Sequence, residues 1–187
     1  MINIDIRTQM RAIERSLDAL ASSAKERVVA AALNKVAEKA RTETRRQITA
    51  EFAIKAGDVR SQVRIKKASA KGGQLWAEIE AFPRNRGKRS RNVMAFGAKK
   101  TKQGVTVRIK KSGGRKLIRH AFIGNQGRTV FVREGKSRLP IKPVETIDVP
   151  QMFNTRRINA NVIAKINRDL PIEIGRAMAA AIAKGWA

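Results

Sequence analysis

At 187 residues, with 41 Lys and Arg, 15 Asp and Glu and one His, the chain carries a formal net charge of +26. A hydrophobic fraction of 42% supports a real core and excludes a wholly disordered basic tail. The absence of Cys excludes disulfides, thiolate zinc sites and cysteine nucleophiles.

The length suggests one domain, 1–187, with helical pieces at its ends. The opening MINIDIRTQM contains no apolar core of a signal peptide. The longest apolar run, Ala177 to Ala183, is far short of the ~20 residues of a membrane-spanning helix. The expectation is a soluble protein made in a cytosol, with no membrane partner.

Residues 1–50 read as helix. Ile6, Met10, Ile13, Leu17 and Leu20 recur at spacings of three and four, which makes one apolar stripe. Ser23 and Glu26 then form a capping-box pattern that starts a second helix. Val29, Leu33, Val36 and Ala40 are its apolar face, and it runs to about Ile48. One long bent helix would satisfy the same pattern.

Residues 63–134 read as a mainly antiparallel sheet of four to five strands. Val63 to Ala68 and Gln74 to Phe82 alternate around Gly72-Gly73, which predicts a β-hairpin. Residues 83–103 read as a long basic loop with an apolar patch, Val93 to Phe96. Val105 to Ile109, Leu117 to Ile123 and Thr129 to Arg133 read as three further strands. Residues 135–152 hold three of the five prolines and predict an extended connector. Residues 153–185 return to helix. Leu170-Pro171 breaks this helical stretch, with Asp169 capping a last helix. Helices, then strands, then helices make an α+β architecture.

The charge is uneven. From Ala81 to Arg133 there are sixteen Lys or Arg and no Asp or Glu. Four or five basic residues would read as a solvated surface; sixteen against none repel one another unless a polyanion neutralises them. Arg84, Arg86, Lys88, Arg89 and Arg91 are the first candidates for phosphate contact. Lys99, Lys100, Lys102, Lys110, Lys111, Arg115, Lys116 and Arg119 follow. The mechanism is counterion release, with little sequence preference. An acidic protein wall would satisfy the same charges. Aromatics are 4% of the chain, and Phe122 and Phe131 read as core, so base stacking is not expected.

The catalytic inventory is poor. Glu78, Glu80, Glu134, Glu145 and Asp148 show no spacing that suggests a shared two-carboxylate site, and no phosphate-cradling Gly-rich motif occurs. A lone His120 is not a metal site. The expectation is no enzyme, no cofactor and no metal.

Four strings carry a family resemblance. They are Ala31 to Ala37 followed by Arg41-Thr42-Glu43; Val63 to Ala68; Ala121-Phe122-Ile123 with Arg133 to Lys136 and Leu139-Pro140-Ile141; and Leu170 to Ala177. In this order the chain, over about residues 28 to 180, resembles the minor tail protein Z family of tailed bacteriophages and prophages. The resemblance implies a structural tail-completion protein of a long-tailed phage, acting at the head-proximal end in head–tail joining and in positioning the DNA end. It implies a homo-oligomeric ring, sixfold as in tail tubes. Its partners would be the tail terminator, the tube or tape-measure protein and the DNA phosphate backbone, in the virion tail. The competing reading is a free-standing nucleic-acid binder without sequence specificity.

Overall fold

The structure is a computed structural model that describes residues 2–4, 22–71, 73–84 and 90–185. The expected first helix over Ile6 to Leu20 lies outside the described residues, as does Gly72 in the hairpin turn. The fold is α+β, with helices towards both ends of the chain and several small antiparallel sheets between them. The chain divides into two compact units: residues 1–44, 63–81 and 154–187, and residues 45–62 and 82–153.

The first unit joins two long helices and one sheet. Helix α1, Ser22–Glu51, starts one residue before Ser23, the expected cap, and contributes residues up to Thr44 here. Val29, Leu33, Val36 and Ala40 are all buried, as their spacing demands. Strands β1 (Ile2–Ile4), β2 (Val63–Lys66) and β3 (Ala77–Ala81) form a sheet in the order β1-β3-β2. The expected β2–β3 hairpin is present, with Ser69 and Gln74 bridged near its turn. Register places Arg64 opposite Glu80 and Lys66 opposite Glu78, and both pairs are ion pairs, at 2.8 and 2.9 Å. Directly opposed unlike charges of this kind support the register.

Helix α4, Arg156–Ala183, is continuous through Pro171. This corrects the break expected at Leu170-Pro171. A proline removes one helical hydrogen bond at a cost of ~3 kcal/mol. Ile158, Val162, Ile166, Leu170 and Ile174 are buried along one unbroken stripe that crosses the proline. That burial is worth several such bonds. Asp169 is therefore not a cap. It sits in the helix interior, 3.0 Å from Lys165 and 3.1 Å from Arg168. Lys39 of α1 meets Glu173 of α4 at 2.6 Å, and Arg176 meets the same carboxylate at 2.6 Å.

The second unit takes the end of α1, the short helix α2 (Ala56–Ser61) and three small sheets. β4 (Ser90–Asn92) pairs with β11 (Glu145–Ile147). β5 (Lys99–Thr101), β6 (Gly104–Val107) and β7 (Lys116–Arg119) form the second sheet. β8 (Ala121–Gly124), β9 (Thr129–Arg133) and β10 (Ile141–Pro143) form the third. Val93, Val105, Val107, Ala121 and Val130 make their common core. Gly104 is obligatory, because at φ 149° a Cβ would lie 2.2 Å from the Ile118 carbonyl oxygen.

The expected single sheet is thus several. Two stretches expected to be irregular carry elements. Part of 83–103 forms β4, β5 and a 3-10 turn, Val93–Phe96, that buries Val93 and Phe96. Part of 135–152 forms β10, β11 and helix α3, Val149–Phe153, with Pro150 in its first turn. The 3-10 turn is built by Asn92. Its side chain accepts from the Met94 N–H at 3.0 Å and from the Val130 N–H at 2.9 Å, and donates to the Val130 carbonyl at 3.0 Å. The strand expected over Leu117 to Ile123 is divided into β7 and β8 by His120, whose φ is 57°.

Candidate nucleic-acid interface

The second unit concentrates the charge. Residues 45–62 and 82–153 hold 23 of the 41 Lys and Arg and five of the 15 Asp and Glu, which places +18 of the net +26 on this unit. Its few acids are engaged internally. Glu51 lies 3.7 Å from Lys110, Glu134 pairs with Lys142, and Glu145 accepts from Ser90. Asp58 and Asp148 both serve Arg91. The carboxylates weighed as a shared site thus serve separate partners, with Glu78 and Glu80 answering Lys66 and Arg64 in the first unit. Among the described residues no cluster of His, Asp and Glu is suited to a metal ion, and no helix is long and apolar enough to cross a membrane.

Arg84 and Arg91, on either side of the basic segment 85–89, meet in one buried cluster. Asp148 is 1% exposed and Gln62 is 1% exposed. The Asp148 carboxylate accepts from Arg91 Nε at 2.9 Å, from Gln62 Nε2 at 2.9 Å and from the Arg84 N–H at 3.2 Å. Arg91 also donates to Gln62 and stands 3.4 Å from Asp58. One carboxylate therefore holds residue 84 and residue 91, the two sides of the segment. Burial alone would raise the Asp148 pKa. The Val149 N–H, Arg91, Gln62 and the Arg84 N–H outweigh it and hold the group below the ordinary carboxylate range.

The first-ranked cations divide accordingly. Arg84 is exposed, 3.8 Å from Asp58. Arg86, Lys88 and Arg89 lie outside the described residues. Arg91 is 6% exposed and locked in the carboxylate cluster, so it is a structural ion and does not present itself to phosphate. Sequence reasoning counted it with its neighbours because its partners, Asp58 and Asp148, are far away in the chain.

The later cations are all exposed. Lys110 stands 6.0 Å over the Phe52 ring, and Lys111 and Lys116 flank the turn between β6 and β7. Arg115 donates to the carbonyls of Gly97 and Thr106, which lays it along the sheet. Lys99 and Lys100 lie on β5.

Lys100, Lys102 and Arg119 come together with three residues not singled out for binding: His120, Phe122 and Arg133. They line an open groove of about 560 Å³. His120 makes it possible. In a regular strand successive side chains face opposite ways. The left-handed residue, tied by its N–H to the Gln103 carbonyl at 3.2 Å, breaks that alternation, and Arg119 through Phe122 all line one groove. Phe122 and Phe131 are half-buried, not core, and stack at 6.0 Å, with the Arg133 guanidinium 5.0 Å above the Phe122 ring. The signal available in the sequence was Arg119-His120-Ala121-Phe122 itself, since His is among the few residues that accept positive φ.

Acid should unfold the chain earlier than its basic composition suggests. Burial would raise the Asp169 pKa, but Lys165 and Arg168 lower it; Lys39, opposed by burial and helped by Arg176, lowers that of Glu173. With Asp148, three folded-state carboxylates titrate below their unfolded values. Their stabilisation is complete above about pH 4 and is lost as pH falls through that value towards the folded pKa values. Thermal melts are expected to be level from pH 7 to about pH 5 and to fall steeply below about pH 4. A melting temperature unchanged at pH 3 would contradict these assignments.

Neither a curated protein nor a solved structure is a match to this chain. The family model described as prophage minor tail protein Z matches residues 8–184, almost the whole chain and both compact units. That match makes this chain a member of the prophage minor tail protein Z family, a phage minor tail protein of the virion tail.

Proposed function

We propose that this chain completes the tail at its head-proximal end, where it prepares the tail for head joining and holds the DNA terminus. It acts as a structural subunit of a closed homo-oligomeric ring, with head-to-tail contacts between copies. Its neighbours there are the tail terminator and the tube or tape-measure protein. The carrying observation is the charge distribution. One unit bears +18, its acids are occupied by internal partners, and one buried carboxylate, Asp148, accepts from both Arg84 and Arg91. Such a surface suits the phosphate backbone of any sequence, which is what a passing or resting DNA end offers.

The test replaces Arg84, Arg86, Lys88 and Arg89 by Gln and leaves Arg91 in place. Binding to a labelled duplex is measured by anisotropy across a salt series. Four lost phosphate contacts should reduce the slope of log K against log salt by roughly three to four. Tails assembled without this chain should join filled heads only when wild type is added, and the fourfold variant should restore joining poorly. An unchanged slope, or full restoration by the variant, overturns the DNA-holding role. A chain that remains monomeric, binds nucleic acid and leaves tails unaffected would be a free-standing binder instead.

A further inference from the structure

We infer that the groove between β5, β7 and β9 is a second DNA site that takes a single strand, with phosphates on Lys100, Lys102 and Arg119 and a base against Phe122 and Arg133. It rests on the reading that this unit holds DNA, and it names a form of DNA and a set of residues that non-specific phosphate contact does not require.

The groove is acid-free. Lys100, Lys102, Arg119 and Arg133 are exposed, and none has an ion-pair partner among the described residues. Arg84, Arg91, Lys110 and Lys142 of this unit each have one, whereas Lys99, Lys111 and Lys116, like the groove's cations, have none among the described residues. Cations left unpaired in a concavity focus potential on whatever enters it. The groove is open and shallow, with about 560 Å³ of space, so a strand can lie along it.

Its lining is half apolar in kind. Phe122 stacks with Phe131, and the exposed Arg133 guanidinium lies 5.0 Å over the Phe122 ring, so the plane open to a base is that of the guanidinium on the aromatic pair. Aromatic and guanidinium planes beside a cationic track are what unstacked bases seek. A duplex keeps its bases stacked inside and offers only phosphates on a stiff rod, so it cannot reach a ring inside a groove. A single strand can turn one base inwards while its phosphates stay on the rim. The backbone supplies the independent sign. His120, at φ 57°, is one of only three non-Gly residues at positive φ among the described residues. Residues held in sparsely populated conformations cluster at binding sites.

The test compares two labelled probes of one sequence, a single strand of about twelve nucleotides and its blunt duplex, by anisotropy with the full chain. Arg119→Gln with Arg133→Gln should lose roughly tenfold in single-strand affinity and clearly less in duplex affinity, where only the loss of non-specific phosphate contacts is felt. Phe122→Leu keeps an apolar side chain against Phe131 and removes the ring; it too should weaken the single strand, with its melting temperature and far-UV spectrum checked for folding. A folded Phe122→Leu with wild-type single-strand affinity overturns the inference. So do groove variants that weaken both probes equally. If those results appear while the fourfold segment variant still loses duplex binding, the groove is wrong and the DNA-holding role stands. If wild type ignores both probes, the DNA-holding role itself falls.

Discussion

Asp148→Asn is expected to destabilise the chain by about 3–5 kcal/mol. Asp148 and Arg91 are both buried, and their carboxylate and guanidinium meet at 2.9 Å. An amide at this position leaves Arg91 charged and buried. Asp58, at 3.4 Å and partly exposed, is then its only remaining carboxylate among the described residues. Removing one member of a buried pair costs far more than the pair is worth as a whole, because the remaining charge loses its compensation. A double change, Asp148→Leu with Arg91→Met, should therefore recover a large part of the loss. Chemical denaturation of wild type, Asp148→Leu, Arg91→Met and the double variant gives the coupling directly.

The same substitution has a second readout. Asp148 accepts from the Arg84 N–H and from Arg91, so it ties together residues 84 and 91, a neck formed of described residues only. Loosening that neck should speed tryptic cleavage at Arg84, Arg86, Lys88 and Arg89 before global unfolding sets in. Asp148→Asn that melts like wild type and is cut no faster would show that this carboxylate is incidental.

Leu33→Asp is expected to abolish folding outright. Leu33 is 0% exposed, among Val29, Val36, Ala37 and Ala40 on the buried face of α1. Deleting a fully buried leucine costs about 2–5 kcal/mol. Placing a carboxylate there without a partner adds a penalty of several more. The sum is comparable to the ~5–15 kcal/mol that holds an ordinary domain together. Insoluble expression, or a far-UV spectrum without native helix, is the expected outcome. A soluble Leu33→Asp with wild-type helicity would place this face at the surface. Leu33→Ala, at the smaller cost, should fold with a lowered melting temperature and provides the graded comparison.

The extent to which the chain could be read without its structure follows from the range of the forces involved. The buried face of α1 was legible because helical periodicity is local: Val29, Leu33, Val36 and Ala40 announce one stripe whatever they pack against. The β2–β3 hairpin was legible for the same reason, since alternation and a Gly-Gly turn are short-range signals. The acid-free stretch is a property of sequence alone, and so is the order of strings that carried the family resemblance, which the match over residues 8–184 bears out.

Three features needed the tertiary structure. Pro171 read as a break because its lost hydrogen bond is local, whereas the stripe from Ile158 to Ile174 that outweighs it is paid by residues elsewhere in the unit. Arg91 read as one more exposed cation, because its carboxylates at 58 and 148 meet it only once α2 and α3 are in place. Phe122 read as core, because the groove it lines exists only where His120 turns the chain and sets β7 and β8 in different sheets. In each case the sequence by itself determined the chemistry available and its local periodicity. Which charges are spent internally, and which remain to meet a ligand, was decided by contacts between residues far apart in the chain.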